Sequence, residues 1–291
     1  MSVRVIPRLD IKGPNLVKGI HLEGLRVLGQ PEQFARAYYE QGADELVYMD
    51  VVASLYGRNS LLDIVSRTAR DIFIPLCVGG GLRSVDDIRA VLRAGADKVS
   101  LNTAAIARPE LIREASRCFG SSTIVVSIEA IRKPDGSWEA YTDNGRNKTG
   151  RSALEWAVQA AELGAGELMI TSIDREGTGK GFDLELTRTI ADRVSIPVIA
   201  CGGAGTPGHA VDVVVKAHAD AVCMASVLHY ELLRELARQP EAATEGNVEF
   251  LRSGRTFSTI KGASLTDVKW ALVDAGVPCR TPSTPTVTDA A

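Results

Sequence analysis

The 291-residue chain predicts an α/β fold, a closed (β/α)8 TIM-type barrel built from two duplicated half-barrels, and three observations carry that expectation. Short apolar strand segments alternate with amphipathic helical ones, which requires parallel pairing through right-handed crossovers. Eight strand segments can be counted, the number that closes such a barrel. Landmarks also recur at a fixed long separation. Pro75 and Pro197, Gly80 and Gly202, and Glu45 and Glu167 each lie 122 positions apart, and Asp97 and Asp220 lie 123 apart. A constant offset over several landmarks marks an internal duplication. An open, doubly wound sheet also fits the alternation, but the duplication and the strand count favour closure.

Taken in order, residues 4–10 read as the first strand and 31–41 as a helix entered by proline. Residues 45–51 form an apolar strand, 61–71 a helix and 74–78 the third strand. Ser84 followed by Asp87 has the form of a capping box, opening a helix that stops at Gly95. Strand 98–102, helix 109–118 and strand 123–130 follow. Pro134-Asp135-Gly136, flanked by Ile131 and Trp138, signals a turn and hence a small hairpin within 132–151. Helix 152–164, strand 167–173, helix 184–194, strand 197–201, helix 209–217 and strand 221–225 complete the alternation, and a last helix is read at 264–275. The barrel is expected to span residues 1–280 as one domain with an insertion at about 231–258. Residues 281–291, rich in threonine and proline, have little to bury and read as a disordered tail.

Composition bounds the function. With 45% hydrophobic and 24% charged residues the chain can bury a core of ordinary size. A net charge of −3 argues against nucleic-acid and anionic-membrane partners, which select basic surfaces. No apolar run approaches the roughly 18 residues that span a bilayer. The five cysteines are scattered, and the four histidines (His21, His209, His218, His229) lack metal-ligand spacing, so no metal and no cofactor are expected. With no leader ahead of the first strand, the reducing cytoplasm is the expected setting.

In a parallel barrel the active site lies at the carboxyl ends of the strands. Polar groups expected there include Asp10, Glu129, Asn102, Thr103, Thr171, Ser226 and the glycine loops at Gly80-Gly81 and Gly202-Gly203. Glycines let backbone approach an anion, and amides of a following helix then point at a phosphate. Each loop precedes a hydroxyl read on the next strand, Thr103 or Ser226. Paired loops on opposite halves imply a ligand with two phosphates, although glycine after a barrel strand also serves packing alone. Asp10 and Glu129 end the first and fifth strands, which face each other across an eight-stranded barrel. Opposed carboxylates suit a proton donor and acceptor, or simply ion pairs and caps. Lys18, on the first loop, either neutralises phosphate or pairs with Asp10.

These residues, with the runs Ile6-Pro7-Arg8-Leu9-Asp10-Ile11-Lys12, Leu16-Val17-Lys18-Gly19, Val78-Gly79-Gly80-Gly81, Asn102-Thr103-Ala104-Ala105 and Cys201-Gly202-Gly203-Ala204-Gly205, resemble the cyclase subunit of imidazole glycerol phosphate synthase, the HisF family. The resemblance runs from residue 4 to about 230 and resumes at 258–277. It implies a barrel lyase that takes ammonia from a glutaminase subunit of the HisH type, as a heterodimer. The ammonia cleaves and cyclises a bis-phosphorylated ribulosyl substrate (PRFAR) to imidazole glycerol phosphate and an aminoimidazole carboxamide ribotide, in histidine biosynthesis. By position Asp10 matches the first catalytic aspartate. Glu129 and Glu176 stand where the family carries aspartate, a change of one methylene each. Arg4, Glu45, Lys98 and Glu167 match the family's charged ring at the ammonia entrance, and Asp97 its partner-facing aspartate.

Two other readings remain open at this point. A paralogue of the family passes ammonia to a separate enzyme for sugar amidination in surface-polysaccharide synthesis, which the two glutamates favour. A scaffold that only activates a glutaminase would not need the phosphate loops, which this chain keeps. An Asp10→Asn exchange is expected to stop turnover and spare the fold.

Overall fold

The structure, a computed structural model, describes residues 2–53, 61–237, 260 and 262–281. Among them the chain alternates strand and helix as the sequence predicts. Eight parallel strands form the barrel: β1 (Arg4–Lys12), β4 (Leu46–Asp50), β5 (Leu76–Gly79), β6 (Lys98–Leu101), β7 (Ile124–Arg132), β10 (Glu167–Ser172), β11 (Val198–Cys201) and β12 (Ala221–Met224). They pair in that order, and β12 returns to β1 with Arg4 opposite Ala221 and Pro7 opposite Met224, so the sheet closes. The short runs of valine, isoleucine and leucine that form these strands are buried on both faces, as parallel strands under helices must be.

The helices pack outside: α1 (Pro31–Glu40), α2 (Leu62–Asp71), α3 (Val85–Arg93), α4 (Thr103–Ala107), α5 (Glu110–Phe119), α6 (Ala153–Glu162), α7 (Leu184–Ala191), α8 (Pro207–Ala217), α9 (Ser226–Ala237) and α10 (Leu265–Asp274). The Ser84 hydroxyl accepts the Asp87 N–H at 3.1 Å, and the Asp87 carboxylate accepts the Ser84 N–H at 3.0 Å. That is the capping box read from the sequence. The same device recurs at Ser264 and Asp267, ahead of α10.

Two antiparallel hairpins rise from the mouth of the barrel. β8 (Trp138–Thr142) and β9 (Asn147–Ser152) follow β7, in the region where the sequence predicts a hairpin. β2 (Asn15–Ile20) and β3 (Glu23–Gly29) follow β1, where only a loop is expected. That reading fails because the first hairpin turns through His21 and Leu22 at positive φ, with no Pro-Asp-Gly signal to announce it. Each half-barrel thus follows its first strand with a hairpin. The Asn144 side-chain amide donates to the Leu22 carbonyl at 3.2 Å, and those two residues are themselves separated by 122 positions. The duplication is therefore closed on itself at the hairpin tips.

The sequence-predicted insertion at 231–258 begins inside α9, and the rest of it lies outside the described residues, as does the tail beyond Thr281. No helix among the described residues is long and apolar enough to cross a membrane.

Candidate active site at the carboxyl-terminal mouth

Side chains alternate along a strand, so one set of β1 residues turns into the barrel: Arg4, Ile6, Arg8 and Asp10. They mark levels through it. At the amino-terminal floor Arg4, Glu45, Lys98 and Glu167 form a closed ring of alternating charge. Arg4 lies 2.7 Å from Glu45 and 3.1 Å from Glu167, while Lys98 lies 2.9 Å from Glu45 and 3.0 Å from Glu167. Burial pushes the Glu45 carboxyl above its usual range against the pull of Lys98 and Arg4. Asp97 sits exposed beside this floor, and one of its oxygens accepts the Leu76 N–H at 2.9 Å. Asp220 does the same for Val198 at 2.9 Å, so this strand cap is a product of the duplication. Above the ring lies an apolar interior of Ile6, Val47, Cys77, Val125, Met169, Ile199 and Ala221, joined by Cys201 and Cys223.

At the mouth, β1 and β7 have three strands between them in either direction round the sheet, so Asp10 and Glu129 face each other across the opening as expected. Both are buried. The Arg8 guanidinium donates from Nε to Asp10 Oδ1 at 2.7 Å, and Lys18 Nζ lies 3.8 Å from Asp10 Oδ2. Burial alone would raise the Asp10 pKa, but Arg8 and Lys18 outweigh it and hold the carboxyl below its ordinary value. Glu129 faces the opposite balance. Burial pushes its pKa up to about 7, and neither Arg8 nor the Gly145 N–H, donated to Glu129 Oε2 at 2.8 Å, cancels that push. One carboxylate is thus fixed as an anion and the other is poised near neutrality.

Lys18 lies on strand β2, not on a loop, and its principal partner is Glu176 rather than Asp10. The first hairpin also reaches the second half through its tip, where the His21 N–H donates to the Glu176 carbonyl at 3.0 Å. The described spaces at the two ends of the mouth differ. The first half holds an open cavity of about 340 Å³, lined by Gly80, Gly81, Asn102, Thr103, Glu129 and Asn144 among others. In the second half a space of about 10 Å³ is bordered by Arg8, Glu176, Gly202, Gly203 and Ser226. Thr171 borders neither and is buried in the wall with its hydroxyl unpartnered.

The glycine loops have a structural reason of their own. At Gly80 a Cβ would stand 2.3 Å from the Asp50 carbonyl oxygen, and at Gly202 2.9 Å from the Ser172 carbonyl oxygen, with φ positive at both. Asp50 and Ser172 are again 122 apart, so one tight backbone crossing occurs once in each half. Thr103 and Ser226 are not on strands as expected. They are the first residues of α4 and α9, because the chain turns into helix directly after β6 and just after β12. The Thr103 hydroxyl accepts the Asp143 N–H at 3.0 Å, and the Asn102 side chain donates to the Tyr141 carbonyl at 3.2 Å while its own oxygen stays unpartnered.

Sequence reasoning missed Arg8 and Asn144. Two-residue alternation with Arg4 and Asp10 would have placed Arg8 inside the barrel. Asn144 lies in the turn of the β8–β9 hairpin, in the region where the sequence predicts one, but its bond to Leu22 depends on the unforeseen first hairpin. Among the described residues no group of histidine, cysteine or acidic side chains is arranged to hold a metal.

A closed barrel of two half-barrels, with opposed carboxylates and a glycine loop from each half at its carboxyl-terminal mouth, defines a barrel of the enzyme type, its site assembled across the duplication. The comparisons make the assignment specific. The chain matches the model of the family described as histidine biosynthesis protein over residues 4–234, and it belongs to that family. It is 61% identical over 204 residues to imidazole glycerol phosphate synthase subunit HisF of Legionella pneumophila, covering 70% of this chain and 96% of that protein.

Proposed function

We propose that this chain is the cyclase-type subunit of an imidazole glycerol phosphate synthase. It uses ammonia from a glutaminase partner to cleave and cyclise PRFAR to imidazole glycerol phosphate and the aminoimidazole carboxamide ribotide. The observation that carries the reading is the pair Asp10 and Glu129, opposed across a mouth that has a glycine loop on either side, on a chain so similar to a HisF subunit.

The site divides the work as follows. Asp10, kept ionised by Arg8 and Lys18, stabilises positive charge that develops on the attacked carbon–nitrogen framework. Glu129, with a pKa of about 7, gives and takes protons at neutral pH, the condition for efficient general acid–base catalysis. Gly80-Gly81 with Thr103, and Gly202-Gly203 with Ser226, receive the two phosphates. Asn102 borders the substrate between them, Thr171 backs the wall behind it, and Lys18 neutralises charge at the second end. The floor ring of Arg4, Glu45, Lys98 and Glu167 admits ammonia from the partner, which docks beside Asp97. The apolar interior then carries a neutral molecule but not ammonium, whose desolvation there is prohibitive. No cofactor is required.

The alternative, delivery of ammonia to a separate sugar-amidinating enzyme, leaves the opposed carboxylates and the open cavity at Glu129 without a task. The deciding experiment is complementation of a histidine auxotroph that lacks the cyclase subunit, paired with ammonia-dependent turnover of PRFAR by the purified chain. Growth with turnover is expected. Failure of both, with a folded protein, overturns the proposal.

A further inference from the structure

The division of labour above gives Arg8 one duty, to hold Asp10, and that duty uses only part of its side chain. Arg8 is 2% exposed. Its Nε is taken by Asp10, and its Nη1 lies 3.6 Å from Cys201 Sγ. Nη2 is buried with no hydrogen-bond partner. A guanidinium carries five N–H donors in one plane, and donors left dry in a protein interior are costly unless a ligand meets them. The same side chain borders the small space beneath Gly202, Gly203, Ala204 and Ser226. Glu176 also borders it, but Lys18 answers that carboxylate directly. Asp10 is likewise already paired. Nη2 is therefore left without a counter-charge beside a space that its own side chain borders. At about 10 Å³ the space takes one oxygen atom, not a whole phosphate.

We propose that Arg8 is a substrate-binding residue of the second half-site. Its Nη2 donates to one oxygen of a phosphate monoester whose remaining oxygens rest on the Gly202-Gly203 loop. Planar forked donors suit phosphate oxygens better than a point-charge ammonium does. This rests on reading that loop as an anion site. The two ends of the substrate are then held unequally. The second end is gripped by a buried guanidinium, while the first meets backbone and the Thr103 hydroxyl in an open cavity whose rim also carries Arg83 and Arg108.

The test uses the full chain, with inorganic phosphate as the calorimetric probe. Wild type is expected to bind phosphate at two sites. Arg8→Gln should weaken one of them at least tenfold and spare the other, and Thr103→Val should do the converse. Arg8→Lys keeps a cation beside Asp10 but removes the second donor arm. It should weaken the same phosphate site at least tenfold and raise the KM for the bis-phosphate substrate at least fivefold, and it decides the matter if Arg8→Gln does not fold. Unchanged phosphate affinity in folded Arg8→Gln or Arg8→Lys overturns the assignment, as does a wild-type chain with a single phosphate site, the one lost in Thr103→Val. A chain that loses a phosphate site on removal of Arg8 yet never turns over PRFAR leaves Arg8 standing and removes the proposed reaction instead.

Discussion

Arg8 and Asp10, two positions apart on one strand, form a buried ion pair at 2.7 Å, and that pair separates the roles of the two carboxylates at the mouth. Asp10 is held below the usual carboxylate range, while Glu129, opposite and with no side-chain cation in ion-pair contact among the described residues, is driven up to about 7 by burial. Two acids of similar intrinsic strength are pulled apart by their surroundings, the usual way a fold assigns acid–base roles.

The raised pKa of Glu129 has a consequence for stability. A carboxyl whose folded-state pKa exceeds its unfolded value binds its proton more tightly in the native state. Its contribution is therefore fully present below the unfolded value of 4.5 and is lost as pH rises through about 7. Glu129→Gln keeps an acceptor for the Gly145 N–H and removes the titration. At pH 8.5 the variant should be more stable than wild type by roughly 1–3 kcal/mol, and at pH 4 the difference should vanish. Urea unfolding at the two pH values measures it, and equal stability at pH 8.5 contradicts the shift.

Asp10→Asn is expected to lower turnover by about 10²–10⁴-fold. The fold is expected to be spared, as the sequence alone suggests, but the structure adds a cost in stability. The exchange leaves the buried Arg8 guanidinium without its counter-charge, and breaking a buried pair from one side costs about 3–5 kcal/mol. A lowered Tm with retained barrel circular dichroism is the expected signature. An unchanged Tm would show that Lys18 and Glu176 rearrange to absorb the charge.

How much of this was legible without coordinates follows from what each feature depends on. The barrel, its eight strands and its opposed carboxylates rest on periodicity and on the 122-residue repeat, which are properties of local sequence. The floor ring came from the family resemblance instead: the repeat pairs Glu45 with Glu167 but says nothing of Arg4 and Lys98, which are not repeat partners. The Lys18–Glu176 pair was not legible, because it joins residues 158 positions apart through a hairpin whose turn carries no glycine–proline signal. The asymmetry of the mouth was hidden too. Sequence offers two equivalent glycine loops, and only packing reveals that the Arg8 side chain borders the second.

Glu129→Asp tests whether the site is built for glutamate. Shortening the side chain by one methylene withdraws the carboxylate from the Gly145 N–H, which Glu129 reaches at 2.8 Å. Catalytic groups tolerate only about 0.5 Å of displacement. Ammonia-dependent turnover should therefore fall at least tenfold, even though aspartate is the residue of the resembled family at that position. A gain in activity would mean that the β8–β9 hairpin relaxes to follow the shorter acid.

The floor ring yields a prediction about coupling. Lys98 bridges Glu45 and Glu167, and Lys98→Met removes one of the two cations while leaving Arg4 to hold both acids. If the ring governs entry, turnover with excess free ammonia should stay within about threefold of wild type. Turnover driven by glutamine through the glutaminase partner should fall at least tenfold, because ammonia is no longer received in register with its release. The burial of Glu45, which is 1% exposed, predicts some loss of stability as well, so both rates are to be measured well below the variant's Tm. Equal losses in the two assays would assign the ring to closing the barrel floor and nothing more.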